Sequence, residues 1–105
     1  MIVKGVTQNG FKYEYENEKL ADWEVMDWLT EIMELGDIPE DKITAQDTVI
    51  LARDMHAVVR AMFTRKQIAE WKNTNRNEKG EVVSELMWRD FNDMFLSDED
   101  KETKN

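Results

Sequence analysis

Hydrophobic and polar positions change period along this chain, and each change marks an element. Residues 11–16 alternate strictly, Phe11-Lys12-Tyr13-Glu14-Tyr15-Glu16, so Phe11, Tyr13 and Tyr15 share one face of a strand. Ile2 to Gln8, with Val3, Val6 and Thr7, reads as the preceding strand, and Asn9-Gly10 between them predicts a hairpin with a type I′ turn. Two strands alone are marginal in water. The aromatic face therefore needs a cover, either the helix that follows or a neighbouring subunit's sheet edge.

From residue 17 the period becomes helical. Asn17 is placed to cap a helix running to about Leu35, with Gly36 as its C′ residue. Its apolar positions are Leu20, Trp23, Val25, Met26, Trp28, Leu29, Ile32, Met33 and Leu35, against an acidic face of Glu24, Asp27, Glu31 and Glu34. Gly36 to Ile43, containing Pro39, is a linker. Thr44-Ala45-Gln46-Asp47 has capping-box spacing and starts the central core helix, which runs to Phe63. Thr64-Arg65-Lys66-Gln67 is a second capping signal, opening a short helix that turns Ile68 and Trp71 inward and fades by Asn75. After a polar stretch to Gly80, Glu81-Val82-Val83 is extended, and Ser84 caps a last helix through Leu96 with a stripe of Met87, Phe91, Met94 and Phe95. The pattern predicts a mainly α chain. One small helical domain over 1–96 has about four helices and a short N-terminal β-hairpin (1–16), and 97–105 forms an acidic disordered tail.

Composition narrows the chemistry. The length of 105 residues suits one domain. There is no Cys and a single His, so thiolate catalysis, disulfides and zinc–thiolate sites are excluded. His56 lies mid-helix with Ala52 and Arg60 as its neighbours one turn away, and reads as structural or merely exposed. No phosphate-binding glycine loop, nucleophile elbow or calcium loop occurs. The chain is thus expected to be no enzyme, with no cofactor and no metal. No leader pattern opens it, and the longest apolar runs are of three residues, such as Val49-Ile50-Leu51. A soluble protein of a reducing compartment, with no membrane contact, is the expectation.

The net charge of −9 is uneven: −7 over residues 1–43, +2 over 44–83 and −4 over 84–105. Arg60, Arg65, Lys66, Lys72, Arg76 and Lys79, interleaved with Phe63 and Trp71, are a candidate phosphate-binding cluster. The overall −9 opposes that, and no nucleic-acid partner is expected. What remains is protein contact. Seven Met and four Trp provide adaptable and anchoring apolar surface. The residues chosen for partner binding are Trp23, Met26, Trp28 and Met33, with Phe11, Tyr13 and Tyr15 as a second surface. The basic middle between acidic ends also allows head-to-tail self-association.

One ordered set of short motifs adds a resemblance. Gly10-Phe11-Lys12-Tyr13-Glu14 is followed by Asp22-Trp23-Glu24, a short acidic break, a central apolar helix and a short helix with Trp71. Asn77-Glu78-Lys79-Gly80-Glu81-Val82 then precedes a helix ending Phe91-Asn92-Asp93-Met94-Phe95. Over roughly Gly10 to Phe95 this resembles the tail assembly chaperones of long-tailed (siphovirus) bacteriophages and prophages. The resemblance implies a small helical protein acting in the host bacterial cytoplasm and leaving before the mature virion forms. Its implied partners are the tape-measure protein, which it keeps soluble, and the major tail (tube) protein, which it recruits. The alternative is a small phage or prophage protein that binds a host protein as an acidic DNA mimic.

Overall fold

A computed structural model describes residues 1–96; the tail expected over 97–105 lies outside the described residues. The fold class is as the pattern predicts: four α-helices among the described residues follow an N-terminal two-stranded hairpin. Strands β1 (Ile2–Val6) and β2 (Lys12–Glu16) pair, and Phe11, Tyr13 and Tyr15 turn to one face, the first and last of them buried. Gly5 lies under the Tyr13 ring, and a Cβ there would meet the far end of that half-exposed side chain and oblige it to move.

The turn differs from the expected type I′. Only Gly10 has positive φ (92°), and Asn9 does not. Thr7 instead accepts from Gly10 N–H at 3.0 Å, its own N–H donates to Phe11 O at 3.0 Å, and its Oγ1 accepts from Phe11 N–H at 3.1 Å. This is a three-residue loop closed by a left-handed glycine. The Thr7 hydroxyl supplies an acceptor that a two-residue turn would leave unused. The same construction recurs at Asn77–Glu81. Gly80 (φ 82°) donates to Asn77 O at 2.9 Å, Asn77 N–H donates to Glu81 O at 2.9 Å, and Asn77 Oδ1 accepts from Glu81 N–H at 3.0 Å. It brings Arg76 and Val82 into an antiparallel bridge.

Helix boundaries shift for identifiable reasons. Residues Asn17–Ala21 form a 3₁₀ turn, and α1 is Trp23–Gly36. Its cap is Asp22, not Asn17, because the Asp22 carboxylate accepts from Glu24 N–H (2.9 Å) and Val25 N–H (3.3 Å). Gly36 remains helical, and the last turn tightens through bonds from Asp37 and Ile38 N–H to Glu34 and Leu35 carbonyls. Helix α2 (Ala45–Met62) begins with the predicted capping box, Asp47 N–H to Thr44 Oγ1 at 3.1 Å and Thr44 N–H to Asp47 Oδ2 at 3.0 Å. Helix α3 is Arg65–Asn73; the Gln67 side chain, expected in a second capping box, donates to Glu14 O at 2.8 Å. Helix α4 is Ser84–Phe91, with Val83 rather than Ser84 at the cap position. Val83 is held extended by its N–H bond to Asn75 O (2.9 Å), and its carbonyl already takes the bond from Met87 N–H (3.2 Å). The chain continues through a π-type turn, Asn92–Leu96, which buries both Met94 and Phe95.

The contacts gather into two compact units. The first comprises Met1–Val3 with Tyr15–Arg65. Its core is Val25 and Ile32 of α1 against Met55, Val58, Val59 and Met62 of α2, with the Tyr15 ring edge-on to Phe63 at 6.1 Å. The second comprises Lys4–Glu14 and the described residues from Lys66 to Leu96. There Phe11 stacks on Trp71 at 6.0 Å, and Trp88, Phe91 and Phe95 form a ring cluster with centroids 5.1–5.5 Å apart. The aromatic face thus meets Trp71 through Phe11 and Phe63 through Tyr15, both distant from the hairpin in sequence. Among the described residues no helix is long and apolar enough to cross a membrane.

Candidate functional site

Helix α1 carries three of the exposed large apolar side chains, as many as the N-terminal segment, where Met1, Ile2 and Val6 are exposed. Burial of Val25 and Ile32 against α2 fixes the rotation of the helix, and that rotation leaves Trp23 75%, Met26 45% and Met33 57% exposed. Trp28 is half-buried and lines an open cleft of about 580 Å³ with Glu18, Lys19, Ala21, Asp22, Glu24, Val25 and Ala61. Trp23, Met26 and Met33 therefore lie on the exposed side of α1, whereas Trp28 turns to a different side, into the cleft it shares with Val25 and Ala61. The second predicted surface does not form as such. Phe11 and Tyr15 are only 2% and 3% exposed, spent on the aromatic contacts above, and Tyr13 is half-buried beside Phe11 and over Gly5. The strand period revealed that these three share a face; it could not reveal that the face is covered from within the chain.

The electrostatics of α1 are one-sided. Its 14 residues hold Glu24, Asp27, Glu31 and Glu34 and no Lys or Arg. Asp37 follows at the negative end of the helix dipole, with no base in the last turn to offset it. One cation reaches the helix from α2. Arg53 Nη2 donates to Glu31 Oε1 at 3.1 Å, and through Nε and Nη2 to Asp54 Oδ1 at 3.2 Å. Asp54 is fully buried, and its Oδ2 has no hydrogen-bond partner. The Glu31 carboxyl is pushed above its ordinary value, chiefly by a hydrogen bond with the Asp54 carboxyl, then by burial and Asp54's charge, with Arg53 opposing. At the cleft's rim, Glu18 bonds the Met1 amino group, which holds its carboxyl below the usual range.

A second polar cluster lies in the other unit. Asp90 is fully buried and accepts from Trp71 Nε1 (2.9 Å), Asn75 Nδ2 (2.9 Å) and Asn9 Nδ2 (3.0 Å). Three neutral donors supply the acceptor bonds that a buried carboxylate requires. Asn75 also donates to Trp71 O (3.3 Å) and contacts Met87 Sδ, while its own Oδ1 is buried and unpaired. The sequence reading overlooked both buried aspartates, although a signal existed. Asp90 stands between Met87, Phe91 and Met94, and Asp54 between Leu51, Met55 and Val58, each at a step of the apolar stripe.

The remaining candidates are dispersed. His56 is exposed, and among the described residues no group of three His, Cys, Asp or Glu side chains could hold a metal ion. Phe63 and Trp71, interleaved with the basic cluster, are buried and do not face outward to stack on bases. The fold and site define a small mainly α protein whose concentrated feature is an acidic helix carrying exposed Trp and Met. No family model matches the chain, and no curated protein or solved structure matches it.

Proposed function

We propose that this protein is a non-enzymatic tail assembly chaperone of a long-tailed phage or prophage. In this reading it binds the tape-measure protein, keeps it soluble in the host cytoplasm and recruits tail-tube subunits before leaving the assembly. The observation that carries the reading is the exposed Trp23, Met26 and Met33 on a helix without a base. Apolar side chains of that size on an otherwise charged surface are suited to shielding a client's hydrophobic helices. The resemblance carried by the ordered motifs from Gly10 to Phe95 supports the choice of family. Co-expression with the tape-measure protein of the same genome is the test. The chain should co-purify with it, and Trp23→Ala with Met33→Ala should reduce recovery about tenfold. Absence of association with the wild-type chain would remove the role.

The acidic face of α1 favours one other reading. Glu24, Asp27, Glu31 and Glu34 follow at steps of three and four, a row of carboxylates along one helix face. A protein that mimics DNA toward a host nucleic-acid-binding protein would display such a row. That reading predicts competition with DNA for the host protein, lost on Glu24→Gln with Asp27→Gln and unaffected by Trp23→Ala.

A further inference from the structure

The exposed apolar positions of α1 are not scattered. Trp23, Met26 and Met33, with the Thr30 methyl and hydroxyl between the last two, follow at steps of three, four and three, all exposed. That is the spacing of the a and d positions of a heptad, a seam about 15 Å long facing away from α2. Val25 and Ile32, which pack on α2, occupy the opposite side of the same helix. Asp27 and Glu34 sit at the flanking positions next to the seam, and Glu24 and Glu31 lie behind them. Of these four, only Glu31 has a cation partner among the described residues, Arg53.

We infer that this seam is the docking face for a basic amphipathic helix of another protein, laid along α1 as the second strand of a short coiled coil. The apolar stripe of the incoming helix fills the seam. Its Lys and Arg residues meet Asp27 and Glu34, where flanking charge decides the partner in a heptad pairing. Charge selects this occupant over the α1 of a second copy laid against this one. Two α1 helices side by side would oppose carboxylates only, since neither brings a base. A cationic partner also offsets Glu34 and Asp37 at the negative end of the α1 dipole. The inference shares with the proposed function only the premise that α1 is the contact face, and it stands without a tape-measure client.

Calorimetric titration of the full chain at roughly 0.15 M salt tests it. The probes are three synthetic peptides of about five helical turns: an amphipathic Leu/Lys helix, the same helix with Glu for Lys, and a Lys/Ser peptide of equal charge with no apolar stripe. The Leu/Lys helix should bind, and the other two should bind about tenfold more weakly or less. Trp23→Ser with Met33→Ser should weaken the Leu/Lys helix about tenfold, while Val49→Ser, a comparably exposed apolar site on α2, should leave it unchanged. Melting curves verify that each variant is folded; all three positions are exposed. Equal binding of the Leu/Glu or Lys/Ser peptide, failure of the Leu/Lys helix to bind, or indifference to the seam substitutions overturns the inference. Peptide binding without tape-measure association would leave the docking face standing and remove the chaperone role.

Discussion

Asp90 draws three side chains from two stretches of the chain, Asn9 of the hairpin loop and Trp71 with Asn75 at the end of α3, onto one carboxylate with no exposed surface. Removing it leaves the buried Trp71 indole N–H without its acceptor and takes the shortest acceptor from the Asn75 amide. Asp90→Ala should therefore cost about 2–4 kcal/mol in urea unfolding, against about 1 kcal/mol for Trp71→Phe, which deletes one donor of three. Glu31 behaves differently because it titrates. Its folded-state value lies above the model-peptide value of 4.5, so the folded chain holds that proton to higher pH than the unfolded chain does. The resulting stability is complete below the unfolded value and is lost as pH rises through the folded one. Glu31→Gln imitates the protonated form, so its melting temperature should gain on wild type from about pH 4 toward pH 7. A pH-independent difference would refute the Asp54 hydrogen bond as the cause.

At the scale of elements, the caps distinguish local from tertiary control. Thr44 and Asp47 cap each other within four residues, and the capping box of α2 was accordingly legible in the chain. The start of α1 was not, because Asn17 and Asp22 are both good capping residues and only one carboxylate meets helical N–H groups. Asp22→Ala should cost about 1 kcal/mol in thermal or denaturant unfolding, and Asn17→Ala only a few tenths. Equal effects would return the cap to Asn17. The Ser84 cap was misplaced for a tertiary reason, since Val83 is tied to Asn75 by a bond that spans the Asn77–Glu81 turn. That turn repeats the Thr7–Phe11 design. Its signature is a residue with a side-chain oxygen three positions before a left-handed glycine, and it was present in the sequence in both places.

For the molecule as a whole, the hairpin matters more than its length suggests. Phe11 belongs to the core that contains Trp71, and Tyr15 to the core that contains Phe63. Deleting residues 1–16 removes a buried aromatic from each unit, a loss of about 3–5 kcal/mol apiece. The truncated chain should lose its cooperative transition by circular dichroism, where a dispensable appendage would leave it unchanged. The charge of −9 also takes on a location. Four of the acids stand on α1 without a base among them, which makes that helix the face a cationic partner would meet.

Periodicity and local motifs by themselves determined the fold class, the shared face of Phe11, Tyr13 and Tyr15, and the α2 capping box. These follow from backbone geometry and from bonds closed within a few residues. The tertiary structure alone decided which apolar residues stay outside. Val25 and Met26 are neighbours of similar hydrophobicity, yet α2 covers one and leaves the other to solvent. The same long-range packing buried Phe11 under Trp71 and enclosed Asp54 and Asp90, which the sequence already places on apolar stripes. Hydrophobicity states that a side chain favours burial, but the available area of a neighbouring helix decides which ones obtain it.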